Sequence, residues 1–248
     1  MIEHELELDT RDGRMNTFVT YPEEGGPFPV VLFYMDAPCK REELHDMARR
    51  IATVGYFVVL PNLYYRKTRE FHFVRDEPGR KKMFAMMAHL DNELVVSDTA
   101  AMLRFVDQHE HADAARIGAV GYCMSGPFVL AAAGSYPDRI HCAASIYGAG
   151  LVTDQPDSAH HYAGRVTGEL YFACAEIDKY APREHIDALD AHLKQTGVDY
   201  RIEWYPGAEH GFAFPQRAGT YDKASAERHW ERLFALFGRR LANPNVSA

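Results

Sequence analysis

Short apolar runs alternate with segments of helical periodicity along most of this chain. FPVVLFYM at 28–35 and RIGAVGYC at 116–123 are apolar at consecutive positions, as in strands that are buried on both faces. Segments of helical periodicity, such as REELHDMARRIATVG at 41–55, separate these runs. Strands of this kind alternating with helices predict an α/β fold, with a mostly parallel central sheet covered by helices on both faces.

The predicted strands share such apolar runs and cover 28–35, 56–62, 116–123, 140–148, 169–176 and 199–207. The predicted helices cover 41–55, a long region around 81–108, 128–137, 182–197 and 223–241. Residues 5–22 alternate in polarity and break at RDGR, which predicts an N-terminal antiparallel hairpin. Because no repeat or linker interrupts this order, we expect a single domain over residues 1–248.

Composition excludes several classes of protein. Hydrophobic residues make up 47% of the chain and charged residues 25%, enough for a large core. The net charge of −8 argues against nucleic acid or an anionic membrane as the partner. The acidic start lacks the apolar segment of a signal peptide, and no apolar run approaches the roughly 18 residues that a membrane span needs. We therefore expect a cytoplasmic protein, either a monomer or a small homo-oligomer.

The four cysteines show no C-x-x-C pairing. They are Cys39, Cys123, Cys142 and Cys174. Their spacing matches no common zinc site, and in a cytoplasmic protein of this size reduced thiols are the expected state. The sequence therefore predicts neither a metal nor a cofactor.

Cys123 is a candidate nucleophile because of where it stands. In parallel sheets the chemistry gathers at the carboxyl ends of the strands, and GYCMSG lies at such an end and leads directly into a helix. A nucleophile on a sharp strand-to-helix turn needs small neighbours, which Gly121 provides on one side. On the other side Ser125 takes the usual glycine position, with glycine only at 126. A buried structural cysteine is the alternative, and Ser125 is a weaker rival nucleophile.

A nucleophile needs a base, and that base needs a group to orient it. His210 lies in the glycine-bracketed loop GAEHGFAF, directly after the last predicted strand. Two acids follow the preceding strand, Glu176 and Asp178, and Asp178 is favoured because it lies further into the loop. The chain order Cys123, Asp178, His210 is the nucleophile–acid–histidine order of α/β-hydrolases.

With these residues in place, the chain resembles the dienelactone hydrolase family of α/β-hydrolases. The resemblance covers nearly the whole chain and is most specific at GYC and AEHGF. It implies a carboxylic ester or lactone hydrolase that acts on a small molecule through a Cys123–His210–Asp178 triad and a thioester intermediate. The oxyanion hole is then expected from the backbone N–H groups of Met124 and Ala37.

The resemblance also indicates which residues tune the nucleophile or bind the substrate. The family places an acid after the third strand, a glutamate in enzymes of the dienelactone type, where this chain has Asp36. Those enzymes bind a substrate carboxylate with arginines, one of them four residues after the catalytic histidine. That position is Phe214 here, which favours a more apolar acyl group, with Arg217 as an alternative cation.

Three further residues are candidates for the lining of the pocket. Tyr64, Tyr65 and Arg66 follow the strand at 56–62, at the edge of the sheet where the site is expected, and packing is the alternative role for the tyrosines.

Two other functions remain open from the sequence. The chain can be a non-catalytic ligand-binding protein on a hydrolase scaffold, since a fold does not guarantee an activity. It can also be a thiol-redox protein that uses Cys123, with Cys142 or Cys174 as its partner.

Overall fold

Eight strands and six helices alternate along the chain in the computed structural model, which describes residues 1–242. The strands are β1 Ile2–Thr10, β2 Gly13–Tyr21, β3 Phe28–Tyr34, β4 Phe57–Pro61, β5 Ala112–Tyr122, β6 Ile140–Ile146, β7 Glu169–Ile177 and β8 Asp199–Glu209. The helices are α1 Glu42–Ala52, α2 Glu77–Met87, α3 Asn92–Gln108, α4 Gly126–Ser135, α5 Arg183–Leu193 and α6 Lys223–Leu241.

The strands form one sheet in the order β1-β2-β4-β3-β5-β6-β7-β8. β1 pairs with β2 and β2 with β4 in antiparallel fashion, and every other pairing is parallel. The predicted hairpin and the mostly parallel sheet are therefore confirmed. Because β3 to β8 run in the same direction, their carboxyl ends meet at one edge of the sheet.

Two buried tyrosines show that helices cover both faces of the sheet. Tyr34 in β3 lies opposite Gly121 in β5, so the next residue, Tyr122, points to the other face. The Tyr34 hydroxyl lies 2.8 Å from the hydroxyl of Thr99 in α3. The Tyr122 hydroxyl lies 3.0 Å from Nε2 of His229 in α6. Helices α3 and α6 thus pack on opposite faces.

The predicted long helical region around 81–108 is two helices, α2 and α3, separated at 88–91. The reason is a pair of N-caps. Asp76 accepts a hydrogen bond from Gly79 N at 2.7 Å and starts α2, and Asp91 accepts one from Leu94 N at 2.7 Å and starts α3. Each aspartate lies in extended backbone directly before its helix, and Asp91 therefore separates α3 from α2.

Within residues 1–242, none of the helices combines the length and the apolar character that crossing a bilayer demands.

Candidate active site

Cys123 lies at the sharp turn between β5 and α4. Its φ of 55° is in the left-handed region, which few residues other than glycine adopt. A short 3-10 turn, Cys123–Ser125, leads directly into α4. The turn leaves Cys123 partly exposed among buried neighbours, which is the strained and accessible setting of a nucleophile elbow.

The close contacts of this turn fall at Gly121 and Gly126. A Cβ on Gly121 would lie 2.4 Å from the carbonyl oxygen of Ser125, and a Cβ on Gly126 would lie 2.3 Å from Cα of Gly148. Ser125 itself is fully buried, and its hydroxyl donates to the carbonyl oxygen of Met35 at the end of β3. A serine is therefore accommodated where the usual pattern has glycine, because the tight approach occurs one residue later.

The side chains of Cys123, His210 and Asp178 lie within hydrogen-bond distance of one another in that order. The Cys123 Sγ lies 3.0 Å from Nε2 of His210. The other ring nitrogen of His210, Nδ1, lies 2.7 Å from Oδ2 of Asp178. The two loops that carry the histidine and the acid follow β8 and β7, so the parallel sheet places both beside the elbow.

The loop after β7 fixes the orientation of the Asp178 carboxylate. Its second oxygen, Oδ1, accepts the backbone N–H groups of Tyr180 at 2.8 Å and Ala181 at 3.1 Å. The other candidate acid, Glu176, still belongs to β7, and its carboxylate accepts from Gly207 N at 2.7 Å. The carboxylate that contacts His210 is therefore that of Asp178, and not that of Glu176.

The environment of His210 favours its charged form. Burial lowers the pKa of the imidazole, but the charge of a Cys123 thiolate, together with the hydrogen bonds to Asp178 and Cys123, outweighs burial and raises the pKa to about 9. A negative charge on the sulfur and a positive charge on the imidazole therefore stabilise each other at this distance. A charged sulfur is in general a stronger nucleophile than a neutral thiol.

Asp36 is fully buried between two arginines. Its Oδ1 accepts from Nη1 of Arg41 at 2.5 Å, and its Oδ2 accepts from Nη2 of Arg217 at 2.5 Å. Arg41 also donates to Glu43 at 2.5 Å. A buried carboxylate between two guanidinium groups is compensated in charge, so Asp36 belongs to an ion cluster and is not a lone acid.

Phe214 lies beneath the same two guanidinium groups. The guanidinium carbon of Arg217 is 4.5 Å from the centre of the phenyl ring, and that of Arg41 is 5.3 Å away. The ring has no solvent exposure and packs against Tyr122 and Tyr147. Phe214 therefore packs against the ion cluster. The cation nearest to this position is Arg217, three residues further along the chain.

Tyr65 and Arg66 are engaged away from the sulfur. The Tyr65 hydroxyl donates to Asp98 at 2.9 Å, and Arg66 donates to both oxygens of Asp98 and to Asp12. These contacts tie the loop after β4 to α3 and to the β1–β2 turn. Of the three predicted lining residues, Tyr64 is the one whose hydroxyl reaches the elbow, at 3.3 Å from Sδ of Met124.

A family model for the dienelactone hydrolase family matches residues 15–241. The chain belongs to the dienelactone hydrolase family. A "Putative carboxymethylenebutenolidase" of Synechocystis sp. is 26% identical over 227 residues, which cover 90% of this chain and 91% of the relative. The carboxymethylenebutenolidase of Rhodococcus opacus is 26% identical over 204 residues, 79% of this chain and 75% of the relative.

A solved structure shows the same fold. The "Putative Dienelactone Hydrolase" from Klebsiella pneumoniae superimposes with a TM-score of 0.86 at 24% identity, over 96% of this chain and 98% of that one. The α/β-hydrolase fold predicted from the sequence is confirmed. As a member of the dienelactone hydrolase family, the protein is a hydrolase that acts on ester bonds.

Two residues beside this candidate site were not singled out by the sequence. Nothing in the local pattern distinguishes Arg41 from the other charged residues at the start of α1. Tyr147 follows the end of β6, a position where site residues are expected. Its ring is fully buried, lies edge-on to His210 with 5.1 Å between ring centres, and carries a hydroxyl without a hydrogen-bond partner among the described atoms.

Among residues 1–242, no group of three or more histidine, cysteine, aspartate or glutamate side chains is arranged to hold a metal ion.

Proposed function

We propose that this protein hydrolyses carboxylic esters or lactones, with Cys123 as the nucleophile, His210 as the proton carrier and Asp178 as the group that orients the histidine. The observation that carries the proposal is the continuous line from sulfur to imidazole to carboxylate, with contacts of 3.0 Å and 2.7 Å. Both distances are within the range over which a base can take up or return a proton.

In the first half of the reaction the Cys123 thiolate attacks the acyl carbon. The S–C bond forms as the carbonyl π bond breaks, and the resulting oxyanion accepts hydrogen bonds from the N–H groups of Met124 and Ala37. The intermediate then collapses, the bond to the alkoxide breaks, and the His210 imidazolium protonates the departing oxygen. An ester gives a thioester on Cys123 and a free alcohol, whereas a lactone gives a thioester whose acyl chain carries the new hydroxyl.

In the second half a water molecule attacks the thioester. The acylated sulfur has lost its negative charge, which is one of the causes that raise the pKa of His210. Burial then weighs more heavily, so the imidazole is neutral and can take a proton from water. Hydroxide adds to the carbonyl carbon, the C–S bond breaks, and the carboxylic acid and the thiolate are released. Asp178 keeps Nδ1 protonated throughout.

We also propose that the acyl group is uncharged. Both arginines of the ion cluster, Arg41 and Arg217, already pair with the buried carboxylate of Asp36. A substrate carboxylate would have to compete with Asp36 for them, and the loss of such a buried pair is costly. An uncharged acyl chain makes no such demand.

The proposal is tested with p-nitrophenyl acetate, p-nitrophenyl butyrate, a simple lactone and the anionic p-nitrophenyl hemisuccinate. We expect turnover of the uncharged substrates, a lower rate with the hemisuccinate, and an acyl adduct on Cys123 by intact mass after rapid quenching. Cys123→Ala and His210→Ala should abolish turnover. Ser125→Ala is the matched control, because it removes the rival hydroxyl and leaves the sulfur, and its adduct should remain on Cys123.

Absence of turnover and of any adduct across the panel would favour a non-catalytic ligand-binding protein. The thiol-redox alternative has less support in the structure. All four cysteines are free, and burial raises the pKa of Cys174 to about 12 and that of Cys142 still further. Formation of a Cys123 disulfide with peroxide, without ester cleavage, would favour that alternative.

A further inference from the structure

Tyr64 lies between the two backbone segments that carry the proposed oxyanion-hole donors. β4 ends at Pro61, and Tyr64 follows it with only 1% of its surface exposed. One of the two segments is the turn after β3 that contains Ala37, and the other is the elbow that contains Met124. The pairing of β3 with β5 brings these segments together, and side chains that reach both then fix their exact separation.

The Tyr64 hydroxyl reaches both segments. It donates to the carbonyl oxygen of Ala37 at 2.9 Å, and it lies 3.3 Å from Sδ of Met124. Burial raises the pKa of this phenol well above its ordinary value, so the hydroxyl keeps its proton and remains a donor. Its hydrogen therefore stays available to the carbonyl at any pH where the protein works.

The turn that carries Ala37 needs such support. It is closed by the hydrogen bond from Cys39 N to Asp36 O at 3.0 Å, and Cys39 has a φ of 76°, which is costly for a residue with a side chain. The Cys39 thiol donates to Oδ1 of Asn62 at 3.4 Å, and the same oxygen accepts from Tyr64 N at 2.9 Å. The segment after β4 thus holds the turn at two points.

We propose that Tyr64 is a positioning residue for the oxyanion hole. By holding the Ala37 carbonyl, one peptide group away from the Ala37 N–H, against Met124, its hydroxyl sets the separation of the two N–H donors. This inference rests on the proposed function, because it assumes that these two N–H groups bind the oxyanion. It assigns Tyr64 no contact with the substrate, and it predicts a defect in transition-state binding and not in substrate binding.

The variant Tyr64→Phe removes the hydroxyl and keeps the ring. We expect kcat for p-nitrophenyl butyrate to fall about tenfold, with KM changed less than about twofold. The loss is smaller than the roughly 10²–10³-fold cost of deleting an oxyanion-hole donor, because both donors remain and only their placement relaxes. The rate at which iodoacetamide alkylates Cys123 should stay the same, since that reaction needs the thiolate and forms no oxyanion.

A trifluoromethyl ketone provides a readout that does not depend on turnover. The Cys123 sulfur adds to its carbonyl carbon, the π bond breaks, and the oxygen becomes an oxyanion in the place where an ester would put one. We expect the Kd of this adduct, measured by fluorine NMR, to rise about tenfold in Tyr64→Phe. If the wild type forms the adduct but cleaves no ester, the proposed function fails while the role of Tyr64 is still tested.

Tyr34→Phe is the matched control. It also removes a buried tyrosine hydroxyl from the sheet, one that contacts Thr99 in α3 at 2.8 Å, and it should leave kcat and the ketone affinity unchanged. Met124→Leu removes only the contact between the Tyr64 hydroxyl and Sδ, and it serves as the second test if Tyr64→Phe does not fold. We expect it to raise the Kd of the ketone adduct about twofold to threefold. The inference is wrong if the first variant to fold keeps wild-type ketone affinity, or if alkylation by iodoacetamide slows in step with kcat.

Discussion

Removing the sulfur of Cys123 should lower the pKa of His210. In the wild type the imidazole is buried, and burial alone would lower its pKa below the ordinary 6.5. The thiolate charge and the hydrogen bonds to Asp178 and Cys123 reverse this and raise the pKa to about 9. The variant Cys123→Ala deletes the largest of the causes that raise the pKa and leaves the Asp178 contact in place.

The size of the effect follows from the structure. A pKa raised from 6.5 to about 9 means that, compared with a free histidine in water, the site stabilises the imidazolium relative to the imidazole by about 3 kcal/mol, at 1.36 kcal/mol for each pKa unit. The His210 side chain is only 10% exposed, so solvent screens this preference weakly. In the wild type His210 should remain protonated through pH 7 and lose its proton near pH 9. In Cys123→Ala it should lose the proton at a distinctly lower pH.

The measurement is a titration of the histidine ring nitrogens by two-dimensional NMR between pH 5 and pH 10. The chain contains 13 histidines, so the His210 signals are identified as those absent from His210→Gln. Asp178→Asn provides a second comparison, because it removes the other stabilising partner and keeps the sulfur. Its His210 pKa should also fall below that of the wild type.

An unchanged titration of His210 in Cys123→Ala would refute this reasoning, because the sulfur would then carry no charge that the imidazole responds to. A wild-type pKa at or below 6.5 would refute it equally. In that case the contact between the sulfur and the imidazole would contribute no charge stabilisation to the site.

Three further substitutions test other parts of the site. Asp178→Asn should lower kcat about 10³–10⁴-fold, because the amide no longer holds the required tautomer of the base; steady-state kinetics with p-nitrophenyl butyrate measures this. Gly126→Ala should lower the free energy of unfolding by more than about 2 kcal/mol, because the new Cβ would lie 2.3 Å from Cα of Gly148. Gly238→Ala, where nothing lies within 4 Å, should raise it by about 0.5–1 kcal/mol, because alanine favours the helix. Urea denaturation measures both. Asp36→Asn should cost about 3–5 kcal/mol in the same assay, since Arg217 loses its carboxylate partner and the partly buried Arg41 keeps only Glu43. The exposed Asp46→Asn should stay within about 0.5 kcal/mol.

Much of the fold could be predicted because its signals are local. A strand buried on both faces needs a continuous apolar run, and a hairpin needs an alternating pattern with a break, so both appear in the order of residues. The long helical region around 81–108 was the exception. Its periodicity continues across the break, and the N-cap of Asp91 that divides it became evident only from the backbone.

The candidate site could be predicted in part for the same reason. Cys123, Asp178 and His210 each stand directly after a strand, and the carboxyl ends of parallel strands meet at one edge of the sheet. The sequence could not show why Ser125 is tolerated two residues after Cys123. That depends on how close Gly126 comes to the loop after β6, a distance between segments more than twenty residues apart.

The sequence by itself determined the layered α/β fold, the turn that can carry a nucleophile, and the chain order of the three residues that the structure brings together. The tertiary structure alone decided how Asp36 is compensated by Arg41 and Arg217, and which tyrosine after β4 reaches the elbow. The physical reason is the range of the interactions. Strand burial and tight turns depend on neighbouring residues, whereas an ion pair or a buried hydroxyl depends on which distant side chains the folded sheet places within a few ångströms.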